Sequence, residues 1–266
     1  MIILKKVLDP LLLNPLKLGE VKPTGWLKNQ LVTQLNGLSG HLDEFWPDIM
    51  DSGWIGGKAE AWERFPYWLD GVILLAFQLE SLDLIKRIEE YINYILDHQQ
   101  KNGWFGPTQW GRNPIYDPWP IMVLCKALIQ YFEISGVDRI VPALLRYYHK
   151  LDEVLDEYPL GHSWAQMRWM DGAWGIHWLI DYMNEDSDTT AFLLSLAEKL
   201  RKQGYDWKDH FDNFVYIHFK KSFQKYKKKT YPIVIYSRNI INLEDSFENQ
   251  IKKRKLRSCP KANTRK

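Results

Sequence analysis

PYWLDGVILLAFQLE, residues 66–80, decides the fold: an aromatic pair, an aspartate and then an almost unbroken apolar run. The same order returns in IYDPWPIMVLCKALIQYFEISG (115–136) and in MRWMDGAWGIHWLIDYM (167–183). The aspartates Asp70, Asp117 and Asp171 are spaced by 47 and 54 residues. Each run is too long for a strand, and its apolar residues recur at three- and four-residue steps, so each predicts a helix buried over much of its surface. A more amphipathic helix is predicted after each: LDLIKRIEEYINYILDHQQ (82–100), VDRIVPALLRYYHKLDEVLDE (137–157) and SDTTAFLLSLAEKLRKQG (187–204). Ser135-Gly136 and Gly204 supply stop signals, and Ser81 and Ser187 suit N-caps.

A buried helix followed by an amphipathic one, with a period near fifty, predicts an all-α chain. The expected architecture is an incomplete (α/α)6 toroid, in which inner helices line an axis and outer helices wrap them. With the preceding helix TGWLKNQLVTQLNGL (24–38), the repeat amounts to about three and a half hairpins, where a closed toroid of this type uses six. Each aromatic–Asp signature then opens an inner helix beside a cleft. Capping of the helix start accounts equally well for any one of these aspartates.

Charge divides the chain. Residues 216–266 hold fifteen Lys/Arg and three Asp/Glu, a balance of +12; residues 1–215 carry 20 basic and 30 acidic residues, a balance of −10. All thirteen tryptophans lie between Trp26 and Trp207 and no glycine follows Gly204. The expected organisation is a partial helical domain over 1–214 and a basic tail of poor or irregular order over 215–266. The tail's charge suits an anionic partner, nucleic acid or lipid. A solvated extension is the stronger expectation over a nucleic-acid-binding arm, and KKRKLR (252–257) is a patch of low specificity. The N-terminal MIILKKVLDPLLLNPLKLGEV, broken by Asp9, Pro10 and Pro15, reads as neither a secretory signal nor a membrane span. Cys125 and Cys259 sit in different segments and support neither a disulfide framework nor a zinc site; Cys125, inside IMVLCKAL, reads as core.

The densest aromatic stretch is HLDEFWPDIMDSGWIGGKAEAWERFPYWLDG (41–71), where four tryptophans stand among carboxylates, Arg64 and a Gly-Gly pair. Aromatic faces pack on sugar rings while carboxylates and Arg hydrogen-bond sugar hydroxyls, so the whole segment points to a carbohydrate site. Each tryptophan taken singly reads as core. His41 and His162, in Gly-His contexts, and His177, on an inner helix, read as hydrogen-bonded core or rim residues ahead of ligands.

Several blocks together carry a resemblance: LGEVKPTGWLKNQLVTQLNGLSGHLDEFWPD (18–48), SGWIGGKAEAWERFPYWLDG (52–71), ILDHQQKNGWFGP (95–107) and MRWMDGAWGIHWL (167–179). Over roughly residues 15–214 the chain resembles the N-terminal half of the catalytic domain of the β-L-arabinofuranosidase-like glycoside hydrolases. The resemblance implies an (α/α)6 barrel followed by β-rich domains. It also implies a retaining mechanism with a cysteine nucleophile held on zinc by Cys and Glu, and a separate Glu as acid/base. The chain departs from this pattern: it has no cysteine cluster, and YDPWPIM (116–122) stands where relatives place a histidine-bearing motif. No catalytic residue and no cofactor is therefore carried over; zinc is expected only in full-length relatives. What carries over is a sugar-binding wall of Trp54, Gly56, Gly57, Glu60, Trp62, Glu63, Arg64, Tyr67 and Asp70, together with Gln109, Trp110, Asp117, Arg168 and Asp171. The leading expectation is a truncated hydrolase domain, inactive alone, with a carbohydrate ligand. Two alternatives stand beside it. One is a carboxylate-based hydrolase or lyase using Asp70, Asp117, Asp171 or Glu60, whose inverting form needs carboxyl groups ~6.5–9.5 Å apart. The other is a non-catalytic glycan-binding or interaction protein.

Overall fold

The computed structural model describes residues 16, 18–107, 116–161, 164–183 and 187–213. Gln109, Trp110, His162, Cys259 and the basic tail lie outside them. Two compact units divide between Tyr205 and Asp206. The first contains α1 (Gly25–Leu35), α2 (Leu38–Phe45), α3 (Pro47–Met50), a 3-10 turn (Gly53–Ile55), α4 (Arg64–Leu79), α5 (Leu82–Asp97), α6 (Trp119–Ser135), α7 (Ile140–Glu157), α8 (Trp164–Met167), α9 (Trp169–Met183) and α10 (Ser187–Gln203). The second contains α11 (Trp207–Asp212), whose Asp206 side chain accepts from Asp209 N. Among the described residues no strand occurs, and no helix is long and apolar enough to cross a membrane.

The all-α reading holds, and so does the alternation of buried and amphipathic helices. Eleven of the seventeen residues of α6 are buried, from Trp119 through Tyr131. Helix α4 buries Phe65, Trp68, Leu69, Val72, Ile73 and Ala76. By contrast, α5 buries one stripe (Leu84, Ile88, Ile92, Ile95), and α7 buries another (Ile140, Leu144, Tyr147, Leu151, Leu155). These stripes follow the three- and four-residue steps of a helix that packs on one side only. The most buried helices stand together: α6 packs against α4 on one side and α9 on the other, while α5 covers α4, α7 covers α6 and α10 covers α9. The three aromatic–Asp sequences thus open neighbouring elements of one core.

Helix ends follow the stop signals more closely than the start signals. Gly136 adopts φ +66° after α6 and donates to Phe132 O, as expected of a glycine C-cap. Glu80 ends α4 with φ 55°, an unfavourable left-handed conformation for a residue with a Cβ. Ser81 stands at the N-cap position of α5 but makes no side-chain capping hydrogen bond, contrary to the sequence expectation.

Candidate functional site

The wall begins in the loop between α3 and α4. Ser52 Oγ donates to Glu60 O at 2.9 Å, Gly53 N donates to the same carbonyl at 3.1 Å, and Trp54 Nε1 donates to Trp62 O at 2.7 Å. The Gly-Gly pair is required by this closure. Gly56 takes φ +84°, and a Cβ on Gly57 would lie 2.1 Å from Asp51 O. Trp54 is 2% exposed and its indole N–H is already used, so it holds the loop from behind and offers no open ring face.

Glu60 is equally enclosed, at 7% exposure. Its Oε1 accepts from Glu63 N at 2.9 Å and Arg64 N at 3.4 Å, so it caps the start of α4 from four residues ahead of the first helical position. Burial pushes its carboxyl above the ordinary range, and the backbone N–H groups of Trp62, Arg64 and Glu63 oppose that rise. Trp62 links the loop to the start of α6: its Nε1 donates to Asp117 Oδ2 at 2.8 Å, while Asp117 Oδ1 accepts from Trp119 N at 3.0 Å. Asp117 is therefore a cap on α6 and a clamp on Trp62 at once.

Arg64 turns away from this group. It pairs with Asp48 on α3, and its guanidinium lies 5.4 Å from the Trp46 ring centroid. The residues that do converge are Glu63 at the N-cap of α4, Tyr67 and Asp70 on α4, Arg168 just before α9, and Asp171 in its first turn. Glu63, Tyr67 and Arg168 meet at Trp119, the first residue of α6. Its Nε1 donates to Glu63 Oε2 at 2.6 Å, its ring meets Tyr67 edge-on at 5.9 Å, and the Arg168 guanidinium stands 5.5 Å from its centroid. Asp70 is held by α6 as well, with Lys126 Nζ at 3.0 Å and Gln130 Nε2 at 2.7 Å.

The electrostatics of the group are shared. The Tyr67 hydroxyl is pushed up by burial; Arg168 opposes that shift, and Glu63, Asp171 and Asp70 add to it. The Asp171 carboxyl is likewise raised by desolvation, against the pull of Arg168 and Lys126 and with the help of Asp70. Tyr67 remains 44% exposed. The result is an open wall: two shallow, open hollows of the first unit lie elsewhere, one lined by Leu96, Arg139 and Arg146, the other by Phe77, Glu80 and Glu133.

Sequence reasoning passed over Trp119, Lys126 and Gln130. The last two carried a signal, because they are the polar positions, four residues apart, in the otherwise apolar run IMVLCKALIQ.

The zinc that the resemblance implies does not fit the described residues. Cys125 is 2% exposed, and burial pushes its thiol up to about 12, with a hydrogen bond to Tyr148 working the other way. A thiolate is needed both to ligate zinc and to act as nucleophile. Among the described residues no group of three or more His, Cys, Asp or Glu is placed to hold a metal ion. No family model, curated protein or solved structure gives a significant match to this chain.

Proposed function

We propose that the chain supplies a carbohydrate-binding wall belonging to an (α/α)6-type glycoside hydrolase domain of the β-L-arabinofuranosidase-like kind. The observation that carries this reading is the meeting of Glu63, half-exposed Tyr67 and Arg168 at Trp119, with Asp70 and Asp171 close enough to act on the Tyr67 hydroxyl. Exposed aromatic surface beside charged hydrogen-bonding groups is the chemistry that sugars require: the ring face packs on the aromatic, and hydroxyls exchange hydrogen bonds with carboxylates and guanidinium. The packing of α4, α6 and α9 side by side, each covered by its following helix, supports the toroid part of the proposal.

In this reading Cys125 takes no part in chemistry, because its thiol stays protonated in the core. A second reading, a carboxylate-based hydrolase, is favoured by one observation. Asp171 is raised in the direction a general acid needs and stands within electrostatic reach of Asp70, which Lys126 keeps paired. Titration of the purified chain with oligosaccharides, followed by tryptophan fluorescence, tests the shared part of both readings. Incubation with aryl glycosides, including a β-L-arabinofuranoside, separates them. Binding without turnover supports the wall alone, whereas turnover that survives Cys125→Ala and is lost in Asp171→Asn supports the carboxylate reading. Absence of any sugar binding would remove both.

A further inference from the structure

Arg168 is an exposed cation of the wall, and among the described residues its guanidinium makes no hydrogen bond and no ion pair, unlike Lys126, which pairs with Asp70. Its neighbours are otherwise engaged. Glu63 Oε2 accepts from the Trp119 indole at 2.6 Å, and Asp70 is shared between Lys126 and Gln130. The Trp119 ring that carries Arg168 is 2% exposed and fixed at both its backbone N and its Nε1, so the guanidinium rests on a rigid support. The Tyr67 ring packs edge-on with the same indole, and its hydroxyl also makes no hydrogen bond among the described residues.

We propose that this wall binds an acidic sugar, a hexuronate residue whose carboxylate is received by the Arg168 guanidinium and the Tyr67 hydroxyl. The inference rests on the carbohydrate reading above and narrows it to one substrate class. A guanidinium presents a planar fork of five N–H donors, which matches two carboxylate oxygens at once; a neutral hydroxyl uses only one of them. An unused fork held over a rigid ring is therefore matched best by a planar oxyanion. The sugar ring itself has exposed aromatic surface close by. Tyr67 is 44% exposed, and Trp174, 45% exposed, lies three residues after Asp171 and so on the same face of α9. Asp171 is the one carboxyl of the group that, among the described residues, accepts no side-chain hydrogen bond and forms no ion pair, which leaves its oxygens open to sugar hydroxyls.

The test uses the full chain and three probes: trigalacturonate, the neutral galactotriose of the same linkage, and acetate. Affinities are measured by calorimetry at fixed ionic strength for wild type, R168Q, R168K and Y67F, with thermal melts to establish that each variant folds. Trigalacturonate is expected to bind about tenfold or more tighter than galactotriose, and R168Q to abolish that ratio by weakening trigalacturonate far more than galactotriose. R168K, which keeps the charge and loses the fork, is expected to keep only part of the preference, and Y67F to lose a few-fold. Equal affinity for the charged and neutral trisaccharides, or a ratio untouched by R168Q, overturns the uronate inference and leaves the carbohydrate reading standing. Failure of both trisaccharides to bind, or acetate binding as tightly as trigalacturonate, overturns the two together.

Discussion

Trp119 donates its indole N–H to Glu63 Oε2 at 2.6 Å across 56 positions of sequence, tying the start of α6 to the start of α4. A hydrogen bond to an ionised acceptor is shorter and stronger than a neutral one, contributing about 1.5–3 kcal/mol where it is shielded from water. Glu63 is only half-buried, so the lower end applies. E63A and W119F should each destabilise the chain in urea titrations. Their double mutant should lose roughly 1 kcal/mol less than the sum, since each change removes the same bond. Strict additivity would mean that the two side chains do not act as a pair.

Glu60 gives a prediction with a sign. Its folded carboxyl is raised, so near and above pH 4.5 the folded state binds more protons than the unfolded state. Stability falls with pH wherever the folded state holds the extra proton. The contribution is fully present below the unfolded value and is lost as pH rises through the folded value. E60Q keeps an acceptor for the α4 N–H groups and cannot titrate. Stability of wild type relative to E60Q should therefore be greatest below about pH 4.5 and decline above it. E60A, which removes the cap, should cost about 1 kcal/mol at any pH in this range. A flat difference between wild type and E60Q would refute the account.

These two residues show where the sequence was legible and where it was not. The periodicity of apolar residues gave the helices, their order, and the contrast between buried α6 and one-sided α5, because burial pattern is written directly in residue type. The segment around Trp54, Glu60, Trp62 and Arg64 was legible as unusual, but its parts were not separable. A tryptophan that closes a loop with its N–H and one that presents a ring face are the same letter, and Trp54 proves to be the first kind. Likewise Glu60 reads as a cleft carboxylate until its hydrogen bonds to Glu63 N and Arg64 N are seen. Arg64 pairs with Asp48, 16 positions earlier, and Trp62 with Asp117, 55 positions later; such pairings depend on packing, which spacing alone does not encode.

Two glycines on α9 offer a comparison within one helix. A Cβ on Gly175 would stand 2.4 Å from Tyr148 Oη, whereas one on Gly172 would stand 3.1 Å from Met122 Cε. Replacing a mid-helix glycine by alanine gains up to about 1 kcal/mol of helix propensity. Overpacking costs about 1–3 kcal/mol when the neighbour cannot move. Tyr148 is 1% exposed and wedged beside Tyr147, so it cannot retreat; Met122 has a flexible thioether end. G172A should be neutral or slightly stabilising in thermal melts, and G175A destabilising by about 1–2 kcal/mol. The reverse order would show that α9 packs in a different rotation about its axis.

Asp43 tests how the first helices are fastened to the core. Its side chain is 1% exposed, and Oδ2 accepts from Arg87 Nη1 at 2.6 Å and from Tyr91 Oη at 2.9 Å. Arg87 also donates to Gly40 O at 3.1 Å, so a single guanidinium holds α2 through both side chain and backbone. Burying a carboxylate is expensive, and removing one partner leaves that cost uncompensated, typically by 3–5 kcal/mol for a fully buried pair. The 21% exposure of the Arg87 side chain admits water and lowers the expectation to roughly 2–3 kcal/mol for R87M. Y91F removes one neutral donor and should cost about 1 kcal/mol. D43N combined with R87M removes the charge together with its partner, so the double variant should be more stable than R87M alone. If D43N deepens the loss caused by R87M, the carboxylate is held by something other than this guanidinium, and α2 is fastened through its apolar contacts.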